Sequence, residues 1–527
     1  MFHLRLLAAL PTTFGFFLLS QPLAAQLRLA RVFGDHMVLQ RDQSLRIWGV
    51  ASPEERVTVR FNGEQADAIA LQDGTFTVWL PPMSASAKGL ELTVTGRQTV
   101  RLVDLLIGDV WLCSGQSNMA MGLHSCNAAE DIANADLPQI RYRPYFEHFA
   151  GEPQDDLKAV ADWRVMKPST AADCTAVGFY FARAVQPVAA VPIGLLTCAV
   201  GGTEIECWMP PAAFAEYPAN QAIGVERTRR VAEWQESLAK AIPQIDSWLF
   251  GARTAAALGA WIKAPPLLPI HPNEDREHWH RTQSLYNGMV HPLGRFAICG
   301  VLWYQGESNA DEETAYVHKF TALIEQWRKL FLRELPFYYV QLPNFGTVTD
   351  KAAGGDLGFA PCRMAQLTCT RLPKTGMAVT IDIGLGGDLH PPNKRDVGLR
   401  LARFALANEY QQPMDPSGPL FARCERDGEA MRVHFDHSGK GLQCGGKVDG
   451  KSSSEESVIA LRGFAIASAD RQWYWAEATI DGATVIVHCK DVPAPVAVRY
   501  AFTANPEGCN LYNNAGLPAS PFRSDTW

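Results

Sequence analysis

The sequence predicts an α/β protein, a three-layer αβα domain on a mainly parallel sheet, with β-sandwich-like regions before and after it. Three observations predict this. From residue 105 to about residue 409, apolar strand-like runs alternate with helix-length stretches, which implies parallel strands joined by crossover helices. Residues 26–104 instead carry short runs in which apolar and polar residues alternate between turn residues, the pattern of a small sandwich. Residues 410–527 return to that short alternation.

Taken in order, residues 1–25 have the make-up of a signal peptide: Arg5 is basic, Leu6 to Leu19 is mostly apolar, and Leu23-Ala24-Ala25 offers a small-residue cleavage site. Pro11 and Pro22 interrupt the apolar core, which is short for a membrane span. The expected protein is therefore exported, periplasmic or secreted, without a membrane anchor. Residues 26–104 form the first β unit, with strands at Leu45-Arg-Ile-Trp-Gly, Val57-Thr-Val-Arg-Phe and Phe76-Thr-Val-Trp-Leu.

The α/β domain takes residues 105–210 and 285–409. Strands are expected at Asp109–Cys113, Val191–Ala199, Ile298–Tyr304, Phe337–Gln341 and Met377–Asp382, and helices over 174–187, 313–333 and 395–408. Residues 211–284 read as a partly helical insertion, with helical character from Val225 to Ala241. Residues 410–527 form the last β-rich region, with Met431-Arg-Val-His-Phe, Ala483-Thr-Val-Ile-Val-His and Val496-Ala-Val-Arg-Tyr.

Composition excludes some functions. The chain of 527 residues is 47% hydrophobic with a formal net charge of −7. That balance, with no basic run, argues against a nucleic-acid partner. Export makes disulfides possible, and Cys424, Cys444, Cys489 and Cys509 are the best candidates. No CxxC or Cys/His spacing suggests zinc. His271, His278 and His280 with Glu274, Asp275 and Glu277 fit no metal motif and read as a solvated loop. No metal or cofactor is expected.

Four segments carry candidate chemistry. Cys113-Ser-Gly-Gln-Ser-Asn-Met119 follows the apolar run Leu105 to Leu112 and places Ser117 on a turn at a strand end. A serine hydroxyl is a weak nucleophile until a base takes its proton. Gly387-Asp388-Leu389-His390-Pro391-Pro392 supplies one. Pro391 biases His390 toward extended geometry, and residues i and i+2 of an extended segment share a side. Asp388 then orients the His390 imidazole. Gly201-Gly202 follows another apolar run and lets a backbone N–H approach a ligand closely. Trp303-Tyr-Gln-Gly-Glu-Ser-Asn309 places Gln305 or Asn309 to donate an amide N–H to an oxyanion. Alone, each is modest evidence: an isolated D-x-H reads first as a turn beside a surface histidine, paired glycines as a tight strand-to-helix turn, and a lone serine or amide as a surface group or helix cap. Together, three of them end strands of one parallel sheet, where ligands bind such folds.

This set resembles the sialate O-acetylesterase family within the SGNH (GDSL-like) hydrolases. The matching stretches are GQSNM at 115–119, GGTEIECW at 201–208, WYQGESNA at 303–310 and DLHPPNK at 388–394. FGDHMVLQR at 33–41, LYNGMVHPL at 285–293 and RMAQL at 363–367 match as well. The resemblance covers nearly all of the chain after residue 25 up to about residue 408, and the rest more loosely. It implies an SGNH-type fold and a carbohydrate acetylesterase with Ser117 as nucleophile, His390 as base and Asp388 as its acid. It also implies an oxyanion hole of the Ser117 and Gly202 N–H groups plus a side-chain amide. The broader superfamily has G-x-N-D at the third block, whereas Gly306-Glu307-Ser308-Asn309 places Ser308 at the Asn position. Gln305 is therefore the preferred donor and Asn309 the second.

The implied substrate is an acetylated carbohydrate, either O-acetylated sialic acid or a hemicellulose such as xyloglucan or xylan. Trp208, Tyr286 and Asn287 are candidate substrate contacts, with Trp261 and Trp279 as further candidate sugar platforms. Arg363 and Gln366 read as structural. A non-catalytic carbohydrate-binding protein and a sugar O-acetyltransferase are the competing readings.

Overall fold

The strand Thr99–Gly115 organises the molecule. Its first half, Thr99 to Asp104, alternates exposed and half-buried residues, and from Leu105 every residue is buried. Alternation marks a sheet with one wet face, and a continuous apolar run marks a strand covered on both faces. One strand thus serves two architectures. Its first half pairs antiparallel with Ser86–Thr95 in the N-terminal β unit. Its second half is a central strand of the α/β sheet. The expected boundary at residue 104 falls inside this strand, at Asp104, which adopts a positive φ of 56°. Asp104 is held there by Arg141 and His36.

The computed structural model describes residues 26–144, 146–158, 163–272, 282–352, 357–445, 447–448, 451–452 and 460–527. The expected signal peptide, residues 1–25, lies outside them.

In the α/β sheet the strand order is Arg164–Met166, Leu137–Arg143, Ile193–Ala199, Thr99–Gly115, Gly300–Tyr304, Phe337–Val340 and Thr375–Ala378. All neighbours are parallel except the edge strand Arg164–Met166. Side-chain alternation builds the layers. Trp303, Phe337 and Tyr339 point to one face and meet Phe320 of the helix Thr314–Leu330. Trp111 and Tyr338 point to the other and meet Phe181 of Ala176–Ala189 and Phe404 of Lys394–Asn408. These aromatics are buried, and burying one such side chain contributes about 1.5–3 kcal/mol.

The three expected helices of the α/β domain are present within a few residues. The strand Leu137–Arg143 and the helix Ala360–Cys369 were not expected. In the insertion, the helix runs Gln221–Ala257, well beyond Val225 to Ala241, and has no buried residue. Trp234 and Trp248 donate back to the carbonyls of Pro269 and Lys263, which folds the following segment against it.

Among the described residues, the C-terminal region contains two four-stranded antiparallel sheets and two two-stranded ones. Arg363, fully buried, fastens it to the α/β domain by donating to the carbonyls of Leu342, Pro343, Thr503 and Ala504. All twelve cysteines are free thiols. The disulfide expectation for Cys424, Cys444, Cys489 and Cys509 is corrected. Cys424 and Cys444 lie on strands of different sheets, and the Cys444 sulfur accepts from Asn510.

Candidate active site

Gly115, Ala199 and Tyr304 lie side by side at the carboxyl ends of three adjacent parallel strands. The chain builds outward from Thr99–Gly115 on one side first and on the other side later. This is the topological switch point at which open α/β sheets bind ligands. The segments after these three strands carry Ser117, Gly201-Gly202 and Gln305–Asn309. Two bonds sew them together. The Gln116 N–H donates to the Tyr304 carbonyl at 2.9 Å, and the Val200 N–H to the Gly115 carbonyl at 3.0 Å.

Ser117 is half-buried and opens the short helix Ser117–Ala120. His390 arrives from the loop beyond the edge strand Thr375–Ala378. Its Nε2 lies 2.8 Å from the Ser117 Oγ, within reach for proton transfer. Nearby Cys113 is fully buried, and burial pushes its thiol up to about 12. It stays a neutral thiol at physiological pH, which sets it apart from reactive cysteines.

Asp388 does not sit where expected. Its Oδ1 accepts the backbone N–H of His390 at 2.8 Å. Among the described residues, no hydrogen bond joins the carboxylate to the imidazole. The cause is local geometry. Leu385 and Asp388 form an isolated bridge, and the Asp388 N–H donates to the Leu385 carbonyl. The segment is a turn rather than an extended run, and Asp side chains in turns bond the N–H two residues on.

The glycine pair does approach the serine. A Cβ on Gly201 would stand 3.2 Å from the Ser117 Cβ. Gly202 adopts φ 66°, and among the described residues its N–H meets no acceptor. The Ser117 N–H is likewise without an intrahelical partner, being the first of its helix.

The side-chain donors are corrected. Gln305 is fully buried, and its Nε2 donates to the Thr203 carbonyl at 3.2 Å and to the Asn309 Oδ1 at 2.8 Å. Both hydrogens are thereby used. The Tyr316 hydroxyl donates to its Oε1. Asn309 is buried too, accepting the Ile205 N–H and donating to Glu206. Glu206 in turn pairs with Lys319. These amides hold the loop 201–206 against the loop 305–309.

The candidate substrate contacts also prove internal. Trp208 is fully buried, edge-on to Trp303, with its Nε1 donating to the Thr203 Oγ1. Asn287 is buried and donates to the carbonyls of Ala150 and Gly151. Tyr286 is buried with its ring edge-on to His291, and burial pushes its phenol up to about 12. Trp261 is 90% exposed. Trp279, His278, His280, Glu274, Asp275 and Glu277 lie outside the described residues. His271 meets the Trp234 ring. Among the described residues no His/Cys/Asp/Glu group has the arrangement of a metal site, and no helix is long and apolar enough to cross a membrane. Gln366 joins Arg363 as structural, bonding the Leu342 N–H and the carbonyls of Gln305 and Val340.

Three further residues stand close to the serine and histidine: Asn118 and Lys394, to which the sequence assigns no catalytic role, and Glu307, whose carboxylate reads in sequence as either a second one near the site or a structural hydrogen-bonding group. Asn118 donates to the Leu389 carbonyl at 3.1 Å and to the Glu307 Oε1. Lys394 donates to the Asn118 Oδ1 at 2.7 Å and to the Pro391 carbonyl at 2.6 Å. Burial pushes the Lys394 ammonium down to about 8 and raises the Glu307 carboxyl. The available signal was their place in the motifs: Asn118 adjoins Ser117, and Lys394 closes the DLHPPNK stretch.

Known proteins resemble the chain over nearly its full length. A family described as carbohydrate esterase, sialic acid-specific acetylesterase, matches residues 107–238 and 273–407. A sialate O-acetylesterase of Mus musculus is 29% identical over 545 residues, covering 94% of each chain. That of Homo sapiens is 28% identical over 548 residues, covering 94% of this chain and 92% of its own. The crystal structure of a carbohydrate acetylesterase from Xanthomonas citri is 35% identical, with a TM-score of 0.77, over 95% of this chain and 100% of its own. A chain that places a serine–histidine pair at the switch point of its sheet and shares this similarity belongs to the sialic acid-specific acetylesterase family of carbohydrate esterases, hydrolases that act on acetylated carbohydrates.

Proposed function

We propose that the protein removes acetyl groups from O-acetylated sugars through an acetyl-enzyme on Ser117, with His390 as general base and acid. The observation that carries this is the 2.8 Å contact between the His390 Nε2 and the Ser117 Oγ. His390 takes the hydroxyl proton as Oγ bonds to the acetyl carbonyl carbon. The Ser117 and Gly202 N–H groups receive the oxyanion. The bond to the sugar oxygen breaks, and that oxygen leaves with the proton from His390. Water then loses a proton to His390 and attacks the acetyl-serine. Acetate departs and Oγ regains its proton. Asp388 supports the base by holding its main chain. No step calls for a metal or a cofactor.

O-acetylated sialic acid is the first candidate substrate, because the matching family and the mammalian relatives carry that activity in their names. Acetylated hemicellulose, xyloglucan or xylan, is the other. Residues 1–25 would direct the protein out of the cytoplasm, and N-terminal sequencing of the mature protein tests this.

Acetate release from a panel of acetylated sialic acids and hemicellulose oligosaccharides identifies the sugar. Ser117→Ala is expected to lower kcat on p-nitrophenyl acetate by roughly 10⁴-fold or more. Wild-type protein that binds glycan without releasing acetate would make it a binding protein. Acetyl transfer to an added sugar in preference to water would make it a transferase.

A further inference from the structure

The main chain around His390 is held at three successive points. Its N–H is taken by Asp388, the preceding carbonyl of Leu389 by Asn118, and the following carbonyl of Pro391 by Lys394. The imidazole has one hydrogen-bond partner among the described residues, the Ser117 Oγ. A ring held only at its working nitrogen takes its position from the backbone that carries it.

Two of the three anchors are one unit. The Asn118 amide joins both arms, giving its N–H to the Leu389 carbonyl and accepting the Lys394 ammonium on its Oδ1. Asn118 directly follows Ser117, so the nucleophile and the support of the base share a backbone segment. Both side chains are fully buried. Lys394 also lies 5.7 Å from the ring centroid of Tyr304, the residue in register with Gly115. Glu307 completes the cluster through Asn118, with its Oε2 buried and without a partner among the described residues.

We propose that Lys394 and Asn118 are positioning residues: together they clamp the carbonyls on either side of His390 and so set its Nε2 on the Ser117 Oγ. The proposal rests on the reading of His390 as the base. Burying an ammonium is unfavourable unless it is well bonded, and a residue serving only to start the helix Lys394–Asn408 has no need of a charge. Both acceptors of Lys394 instead belong to the site: a carbonyl adjacent to His390 and an amide adjacent to Ser117. Catalytic geometry is sensitive, since a misplacement of about 1 Å can cost on the order of 10²-fold in rate.

The test compares Lys394→Met, Lys394→Arg, Asn118→Ala and the double variant Asn118→Ala/Lys394→Met in the full chain, by kcat and KM on p-nitrophenyl acetate, with folding followed by circular dichroism. A positioning role predicts that Lys394→Met lowers kcat by roughly 10²-fold with KM within about twofold. Lys394→Arg recovers at least about tenfold of that loss, and the double variant is no worse than about threefold below the poorer single one, because one clamp is lost only once. Folded Lys394→Met with kcat within about threefold of wild type overturns the proposal, as do fully multiplicative losses. If Lys394→Met does not fold, Asn118→Ala decides on the same kcat criterion. His390→Ala separates the two readings. An active His390→Ala enzyme removes the base assignment itself, whereas an inactive one beside a fully active Lys394→Met removes only the clamp.

Discussion

Gly115 and Tyr304 face each other in register at the carboxyl ends of adjacent parallel strands, and a Cβ on Gly115 would stand 2.1 Å from the Tyr304 carbonyl oxygen. That carbonyl also accepts the Gln116 N–H. Gly115 adopts φ 132°, which side chains rarely take. The turn that presents Ser117 therefore depends on a residue without a side chain.

Gly115→Ala should destabilise the protein by roughly 3 kcal/mol or more, because backbone rather than a movable side chain meets the new methyl group. Chemical denaturation measures the loss. A stability within about 1 kcal/mol of wild type would show that the turn relaxes around the methyl group.

Asp388→Asn and Asp388→Ala should behave differently. Asn keeps an oxygen for the His390 N–H, and Ala does not. Holding the histidine through its main chain predicts a larger kcat loss for Ala than for Asn. A carboxylate acting on the ring predicts that Asn alone costs on the order of 10⁴-fold. Steady-state kinetics of the two variants decides.

Gln305→Leu should act on stability rather than on catalysis. It strands the Thr203 carbonyl and removes one of two partners from the Asn309 Oδ1 and from the Tyr316 hydroxyl, which keep the Ile205 N–H and the main-chain carbonyl of residue 305, at a cost of about 1–3 kcal/mol. The folded fraction should keep kcat within about tenfold of wild type, against roughly 10²–10³-fold for a lost oxyanion donor. Active-site titration corrects kcat for unfolded protein.

Lys394 should leave a mark on the pH dependence of stability. Burial pushes its ammonium down to about 8 from an ordinary value of 10.5, against the opposing pull of Cys126, Glu307 and Asp388. Between these values the unfolded chain holds a proton that the folded chain has lost, so raising the pH favours the folded state. Below about 8 both states are protonated, and the cost of the buried charge is fully present. Relative to Lys394→Met, wild-type stability should rise by about 1.4 kcal/mol per pH unit across this window. Urea denaturation at several pH values reads the slope, and parallel curves for the two proteins would count against the shift.

Much of the site was legible because its parts are local. A turn at the end of an apolar run marked Ser117, paired glycines marked the close approach at 201–202, and a histidine before proline marked His390. Long-range pairings were not legible. Gln305 and Asn309 carry the right groups for an oxyanion hole, yet their hydrogens go to partners supplied in part by the loop after another strand. Trp208 looks like a sugar platform in sequence and is a core residue in space, because the helix Thr314–Leu330 covers it through Trp327. The disulfide expectation failed for the same reason, since spacing along the chain does not say which sheet a cysteine joins.

By itself, then, the sequence determined the α/β class, the strands that end at the site, and Ser117 and His390 as candidates, since periodicity, turn chemistry and motif spacing act over a few residues. Only the tertiary structure decided that Asp388 holds the main chain of His390 rather than its ring, and that Asn118 and Lys394 grip the carbonyls on either side. Hydrogen bonds are short and directional. Which donor meets which acceptor across 276 positions of sequence, as between Asn118 and Lys394, is settled by the packing of strands and loops around them.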